Sequence, residues 1–249
     1  MSSAQVTSVK RPFSLASAEL LDHVDYRLIE TEADRDVIYR LRYRAYLQEG
    51  AIDPNSEGKV YDRYDDDPHT WIFAVYLHGQ LAGSIRISVA TPDHPSSPSV
   101  DVFPDLLMPE LKRGKVIVDP TRFVADPDLA RRHPELPYVT VRLGYVACSY
   151  FDADIGLATV RAEHQAFYRR MFLQTSLSPP RVFPSLVKPV CLMAADYHAT
   201  RERVFDRYPF FRSSYFERRM LFERRAEAAA ARGGFVERPY RTATIVPCP

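Results

Sequence analysis

Charge of one sign is the first thing this sequence lacks. Lys and Arg number 33 against 32 Asp and Glu, a formal net charge of +1. So even a balance gives no electrostatic footprint for nucleic acid or for an anionic membrane surface. Cysteine is scarce as well. The three residues Cys148, Cys191 and Cys248 make neither an even disulfide set nor a metal-ligand spacing. Cys148 and Cys191 stand in apolar runs and read as buried core thiols. No apolar run is long enough to span a bilayer, and the first residues lack the apolar core of a secretory signal. A Walker loop, a GxGxxG fingerprint, zinc spacing and an internal repeat are all missing. These absences leave a cytoplasmic protein in a reducing environment, with no bound metal and no transmembrane segment, as the expectation.

What is present suits a globular chain. With 249 residues, 46% of them hydrophobic and 26% charged, the chain can build a sizeable core. Residues 1–24 read as a flexible lead. Residues 26–29 read as a short strand, and 32–48 as a helix with acids in its first turn and apolar residues at helical spacing. A loop rich in Pro, Asn, Asp and Gly follows at 50–58. Residues 71–77 and 81–89 are two strands joined by His78-Gly79-Gln80, a hairpin. Gly83 in the second strand allows close approach of backbone or ligand. The Pro/Ser-rich stretch 91–101 shows little structure of its own. Residues 103–111 hold a short helix, 125–136 a polar crossing and 138–151 the central helix. After it come a strand at 155–160, a helix at 163–172, a loop or short strand at 181–189 and a strand at 190–195. Asp196 is an N-cap for a helix over 196–205, and 211–232 is basic, alanine-rich and helical, ending at Gly233-Gly234. The order is that of an α/β (α+β) fold, one central mixed β-sheet flanked by helices, with an extra C-terminal helix.

Charged residues in apolar strands are the sharper signal. Val116-Ile117-Val118 is an apolar β-branched run, and Asp119-Pro120-Thr121-Arg122-Phe123 follows it at once. Lone buried charges are costly, so Asp119 and Arg122 need either mutual pairing or a ligand. Arg86 stands in the same way among Ile85, Ile87 and Val89. Residues 60–69 are dense in acids and aromatics, either a solvated loop or carboxylates serving a positively charged amine.

Together these stretches resemble a family. Leu41-Arg42 with Tyr46, Asp62-Arg63-Tyr64-Asp65, Gly83 to Arg86 and Asp119 to Phe123 follow the order and spacing of LuxI-type acyl-homoserine-lactone synthases. That family has an arginine with an aromatic one turn later, D-x-Y-D, a strand arginine and E-x-[ST]-R-F. Here Val60 replaces the glutamate before D-x-Y-D, and Asp119 replaces the glutamate of the last motif. The tryptophan after the first helix has no clear match. Those are the positions where that family handles S-adenosylmethionine. Residues 158–170, with His164, Phe167, Tyr168, Arg169 and Arg170, resemble instead the V-x-P-x-H-x-x-F-Y-R-R segment of FeeM-like N-acyl amino acid synthases, as does the Arg-Tyr-Pro-Phe-Phe ending at 207–211.

The resemblance implies a GNAT-type acyltransferase domain over about residues 25–211, followed by a C-terminal helix and tail at 212–249. It implies transfer of a long acyl chain from a thioester to the α-amine of an amino acid. The GNAT pyrophosphate loop is absent after Val124, which points to an acyl carrier protein as donor rather than coenzyme A, with no permanently bound cofactor. The amine must lose a proton before it attacks, and Asp119 and Asp62, then Asp65, are the carboxylates to take it. Arg86 and Arg122 are the guanidiniums for the acceptor's carboxylate. Arg42, Tyr46, Thr121, Phe123, His164 and Tyr168 complete the expected binding set. Phe151, Phe167, Tyr168 and Phe172 can line an apolar slot, although helical aromatics more often fill a core. His164 is open to the same core or capping reading. Basic stretches at 131–133 and 218–225 offer docking for an acidic carrier protein, with transient membrane contact for release of a lipid product. Three alternatives stay open: a homoserine lactone synthase, an acetyl-coenzyme A acetyltransferase and a non-catalytic acyl-binding module.

Overall fold

Alternation along two strands decides the architecture. Residues 84–90 put Ile85, Ile87 and Val89 on one face and Ser84, Arg86 and Ser88 on the other. A computed structural model describes residues 13–184 and 186–223. Its elements run α1 (Phe13–Leu21), β1 (Val24–Leu28), α2 (Glu32–Gln48), β2 (Thr70–Leu77), β3 (Gln80–Ala90), α3 (Pro98–Val102), α4 (Pro104–Lys112) and β4 (Ile117–Ala125). Then follow α5 (Pro127–Arg132), α6 (Leu136–Tyr150), β5 (Ile155–Val160), α7 (Gln165–Phe172), β6 (Thr175–Ser176), β7 (Cys191–Asp196), α8 (Tyr197–Arg207) and α9 (Tyr215–Phe222).

The seven strands form one mixed sheet in the order β1-β2-β3-β4-β5-β7-β6. β1 to β4 are antiparallel neighbours, and β4 and β5 are parallel, joined through α5 and α6. That junction is brief. Only Ile117–Ile155 and Val118–Gly156 pair, and past them β4 and β5 have no pairing with each other. Each therefore presents backbone N–H and C=O groups to the gap, where a ligand can use them.

One face of the sheet is dry. Trp71, Phe73, Val75, Ile85, Ile87 and Val118 are buried in one core with α6 and Phe222 of α9. Burying a side chain of this size stabilises by roughly 1.5–3 kcal/mol. Gly144 lets α6 lie this close, since a Cβ there would meet Pro120 Cγ at 2.8 Å. Gly83 has the corresponding role between strands, with Val124 O at 2.8 Å from where its Cβ would be.

Several elements depart from the sequence reading. Residues 13–21, expected as part of a flexible lead, form α1, with Ser17 and Leu20 buried against the core. The Pro/Ser-rich stretch contains α3, because the Ser97 side chain accepts the Val100 N–H and Pro98 sits where a helix needs no donor. α5 lies inside the polar crossing. The expected helix over 211–232 is α9, eight residues long, and what was expected past residue 223 lies outside the described residues. α9 belongs to the core rather than standing apart: Phe222 is buried and its carbonyl accepts the Trp71 Nε1–H, while Glu217 pairs with the buried Arg142. Asp196 caps α8 as expected, accepting from the Ala199 N–H. No helix among the described residues is long and apolar enough to cross a membrane.

Candidate active site

The second face of the sheet carries the charges. Antiparallel pairing puts Arg86 opposite Thr121 and Ser88 opposite Asp119, so these side chains share a face. α2 brings Arg42 over that face, and a 3-10 turn at Arg63–Asp66 brings Asp62 and Asp65. The turn is held by a capping box: the Asp62 carboxylate accepts the Tyr64 N–H at 3.0 Å and the Asp65 carboxylate accepts the Asp62 N–H at 2.9 Å. The motif that carried the resemblance is thus also the local reason the turn forms.

Five side chains interlock. Arg86 donates to both Asp62 oxygens, at 2.5 and 3.2 Å, and to Asp65 at 3.1 Å. Arg122 donates to Asp62 at 2.6 Å, and Arg42 donates to Asp65 at 2.8 Å. Arg86 Nε–H also donates to Thr121 Oγ1 at 3.0 Å. Arg42 and Arg86 are fully buried, and only Asp62, with 26% of its side chain exposed, opens the cluster outward. Three guanidiniums meet two carboxylates here, which leaves positive charge in excess. Arg42 Nε and Nη2 have no hydrogen-bond partner among the described residues.

The two catalytic carboxylates expected from sequence have opposite electrostatics. Burial alone would raise the Asp62 pKa, but the Arg86 and Arg122 guanidiniums overcome it and hold the carboxyl far below the usual range. Asp119 is fully buried, and that desolvation pushes its pKa up against the hydrogen bonds from Ser99. Asp119 lies on the same face but is bonded elsewhere. Its oxygens accept the Ser99 N–H at 2.9 Å and the Ser99 Oγ–H at 2.7 Å, at the start of α3. Ser99 Oγ in turn lies 2.6 Å from Thr159 Oγ1 on β5. Asp119, Ser99 and Thr159 form a continuous chain from a buried carboxyl to the strand that borders the gap.

Arg122 makes the bend that separates the two faces. It has a left-handed φ of 51° at a bulge where pairing shifts from Arg86–Thr121 to Ser84–Val124. The shift sends Phe123 to the dry face, into an apolar cavity between β4, β5 and α6. Pro120, Val141, Tyr168, Phe172 and Gln174 also line it. Tyr46 stands at the seam, its ring 5.8 Å from the Arg122 guanidinium carbon.

Of the expected site residues, Arg42, Asp62, Asp65, Arg86, Thr121 and Arg122 come together, with Tyr46 alongside. Phe123 and Tyr168 line the cavity, and Asp119 lies one strand position from the cluster. His164 falls outside both, exposed in a 3-10 turn with its Nε2 2.9 Å from Arg161 Nη2. Among the four aromatics expected to line a slot, Tyr168 and Phe172 do so, while Phe151 packs on Trp71 and Phe167 on Tyr138. Arg131 and Arg132 lie in the last turn of α5, Arg131 paired with Asp128. Ser99 and Thr159 were missed. Only the Ser97-Pro98 helix-start pattern could have drawn attention to Ser99, and nothing local marks Thr159.

Comparison with known proteins follows the same outline. The family model for the N-acyl amino acid synthase FeeM matches residues 37–196. Among solved structures, FeeM from uncultured soil microbes superposes with a TM-score of 0.60 at 16% identity, covering 75% of this chain and 97% of that one. TofI, solved in a ternary complex with an inhibitor and MTA, gives 0.53 at 17% identity over 74% and 96% of the two chains. BjaI, a CoA-dependent acyl-homoserine lactone synthase, gives 0.50 at 19% over 70% and 81%. No curated protein matches the sequence significantly. The fold is the GNAT-type acyltransferase fold that the sequence led one to expect.

Proposed function

The chain belongs to the FeeM family of N-acyl amino acid synthases and is an acyltransferase, and we propose that it moves a long acyl chain from a carrier-protein thioester to the α-amine of an amino acid. The observation that carries this reading is the parting of β4 and β5 with a charged cluster on one face and an apolar cavity on the other. An acyl thioester has both halves of that character: an alkyl chain that gains by leaving water and a polar arm whose amides can meet the unpaired strand edges.

The acceptor enters from the Asp62 side, the one part of the cluster open to solvent. Asp62 is held ionised by two arginines, so it pairs with the acceptor's ammonium and is a poor base for it. The surplus positive charge, with the two unpartnered Arg42 donors, draws the acceptor's carboxylate. Proton removal falls to Asp119, whose raised pKa makes it the better acceptor, through the Thr159 and Ser99 hydroxyls. The neutral amine then attacks the thioester carbon. Backbone N–H groups on the β4 edge meet the developing oxyanion. Collapse forms the amide and releases the thiolate, which takes up a proton. The absence of the GNAT pyrophosphate loop after Val124 supports the carrier protein as donor. Arg132 and His133, at the end of α5, are docking residues for its acidic surface.

The test is mass spectrometry of lipid extracts from cells expressing the protein with a matched carrier protein, against Asp119→Ala. N-acyl amino acids found only with the intact protein establish the reaction and name the acceptor. Homoserine lactones made from S-adenosylmethionine would overturn it, as would bound lipid with no turnover. Charge reversal at Arg132 should raise the apparent KM for the carrier protein with kcat unchanged, and an unchanged KM removes that docking site.

A further inference from the structure

We infer that Tyr197 is the floor of the apolar cavity and sets the longest acyl chain the protein accepts, an inference that rests on the acyl-transfer reading of that cavity. The cavity has two ends. Phe123 and Tyr168 stand at the end where β4 and β5 part. Cys148, Gly156, Ala195, Tyr197 and Thr200 stand at the other, where those strands are still paired. A chain entering from the gap runs along α6 past Val141 and Gly144 and meets Tyr197 last.

A second space lies behind that ring. It opens to solvent and is lined mostly by polar residues, among them Ser149, Asp152, Arg201, Glu202 and Arg212, with Phe205 as an apolar member. Among the described residues, Tyr197 alone lines both cavities. Its two ends match the two rooms: the aromatic ring closes the apolar one, and the hydroxyl bonds Ser149 Oγ at 2.5 Å on the polar side.

The ring is fixed in place. Tyr197 is the first residue of α8, its N–H donates to Asp154 O at 2.8 Å, and Asp196 caps the helix beside it. The ring packs edge-on against Tyr145 at 5.2 Å and is 4% exposed. Moving it aside would break the Ser149 bond and open a void, so a long chain does not displace it cheaply. A chain that outgrew the slot would have to place methylenes among guanidiniums and carboxylates, which gains nothing from burial.

Titration with saturated fatty acids from octanoate to stearate reads this without turnover. In the wild-type protein, each added methylene should tighten binding about fourfold until the chain meets the ring, and affinity should then stop rising. Tyr197→Ala and Tyr197→Leu should move that break to longer chains, and Tyr197→Phe should leave it in place. Thr200→Phe, which fills the same floor, should move it to shorter chains and carries the test if the truncated variants do not fold. A wild-type series with no break, or a break unmoved by all three changes in volume, overturns the inference. Mass spectrometry of cell products separates the two claims. N-acyl amino acids of unchanged length in Tyr197→Leu would overturn the floor and leave the reaction standing. A shifted fatty-acid break with no N-acyl amino acid made would overturn the reaction and leave the floor.

Discussion

β3 and β4 present two faces to very different neighbours, and the contrast shows what each face demands of its side chains. On one, Ile85, Ile87, Val118 and Phe123 meet α6 and leave a slot. On the other, one residue along, Ser84, Arg86, Ser88, Asp119 and Thr121 meet α2, α3 and the acidic turn. The dry face stabilises by removing apolar area from water, and any side chain of similar volume would serve nearly as well. The charged face has no such latitude. Fully buried Arg86 is tolerable only because Asp62, Asp65 and Thr121 accept its hydrogens. A protein seeking only stability would do as well with apolar residues there. The proposed reading assigns charges kept at that cost to the handling of a charged substrate.

The strongest way to break this contrast is to remove one member of the cluster. Arg86→Ala leaves two carboxylates facing each other without their shared partner. Urea unfolding should show a loss of about 3–5 kcal/mol. A loss no larger than a surface substitution gives would mean that the cluster is solvated and the two faces do not differ. On the dry face the matching change is Gly144→Ala, whose Cβ meets Pro120. Overpacking there should cost about 1–3 kcal/mol, with the charged cluster, and hence the acid limb of stability, unaltered.

pH sharpens the comparison within the charged face. The folded pKa of Asp62 is depressed, so its contribution to stability is present above the unfolded carboxyl value of about 3.9 and is lost as pH falls below it. The folded pKa of Asp119 is raised, so its contribution is complete below about 3.9 and is lost as pH rises through the folded value. Asp62→Asn should therefore flatten the stability curve below about pH 4, and Asp119→Asn should flatten its fall above that. Each tilt is at most about 1.4 kcal/mol per pH unit, the weight of one proton. Curves that tilt the same way in both variants would refute the opposite assignment of the two carboxyls.

The sheet and the charged cluster were legible in the sequence for the same reason: each breaks or keeps a short period. α2, the hairpin and α6 carry periodic apolar residues, and Arg86, Asp119 and Arg122 stand out because they interrupt apolar strands. What no period shows is where a strand or helix points after folding. Asp119 and Arg122 look like partners three residues apart, yet the bulge at Arg122 turns one to Asp62 while the other meets Ser99. Phe151, Phe167, Tyr168 and Phe172 look alike on paper, yet only the last two face the cavity. The floor at Tyr197 depends on β7 and α8 folding back on β5, a long-range pairing that leaves no local mark. α1 was hidden because its nine largely apolar residues show no clear helical period and follow a polar lead.

The smallest effect expected lies where the two faces meet. Tyr46 on α2 stacks toward Arg122 from the charged side, and it packs against the small cluster of Leu41, Ala45 and Val124. Its ring therefore flanks the bulge from which Arg122 reaches Asp62. Tyr46→Phe keeps the ring and should leave unfolding unchanged. Tyr46→Leu removes the cation–π contact and should cost about 0.5–1 kcal/mol at this half-buried site. If Tyr46→Leu matches Tyr46→Phe in stability, the ring does not support Arg122, and the bulge alone holds the arginine against Asp62. If it loses stability, the ring and the bulge together hold the arginine against Asp62.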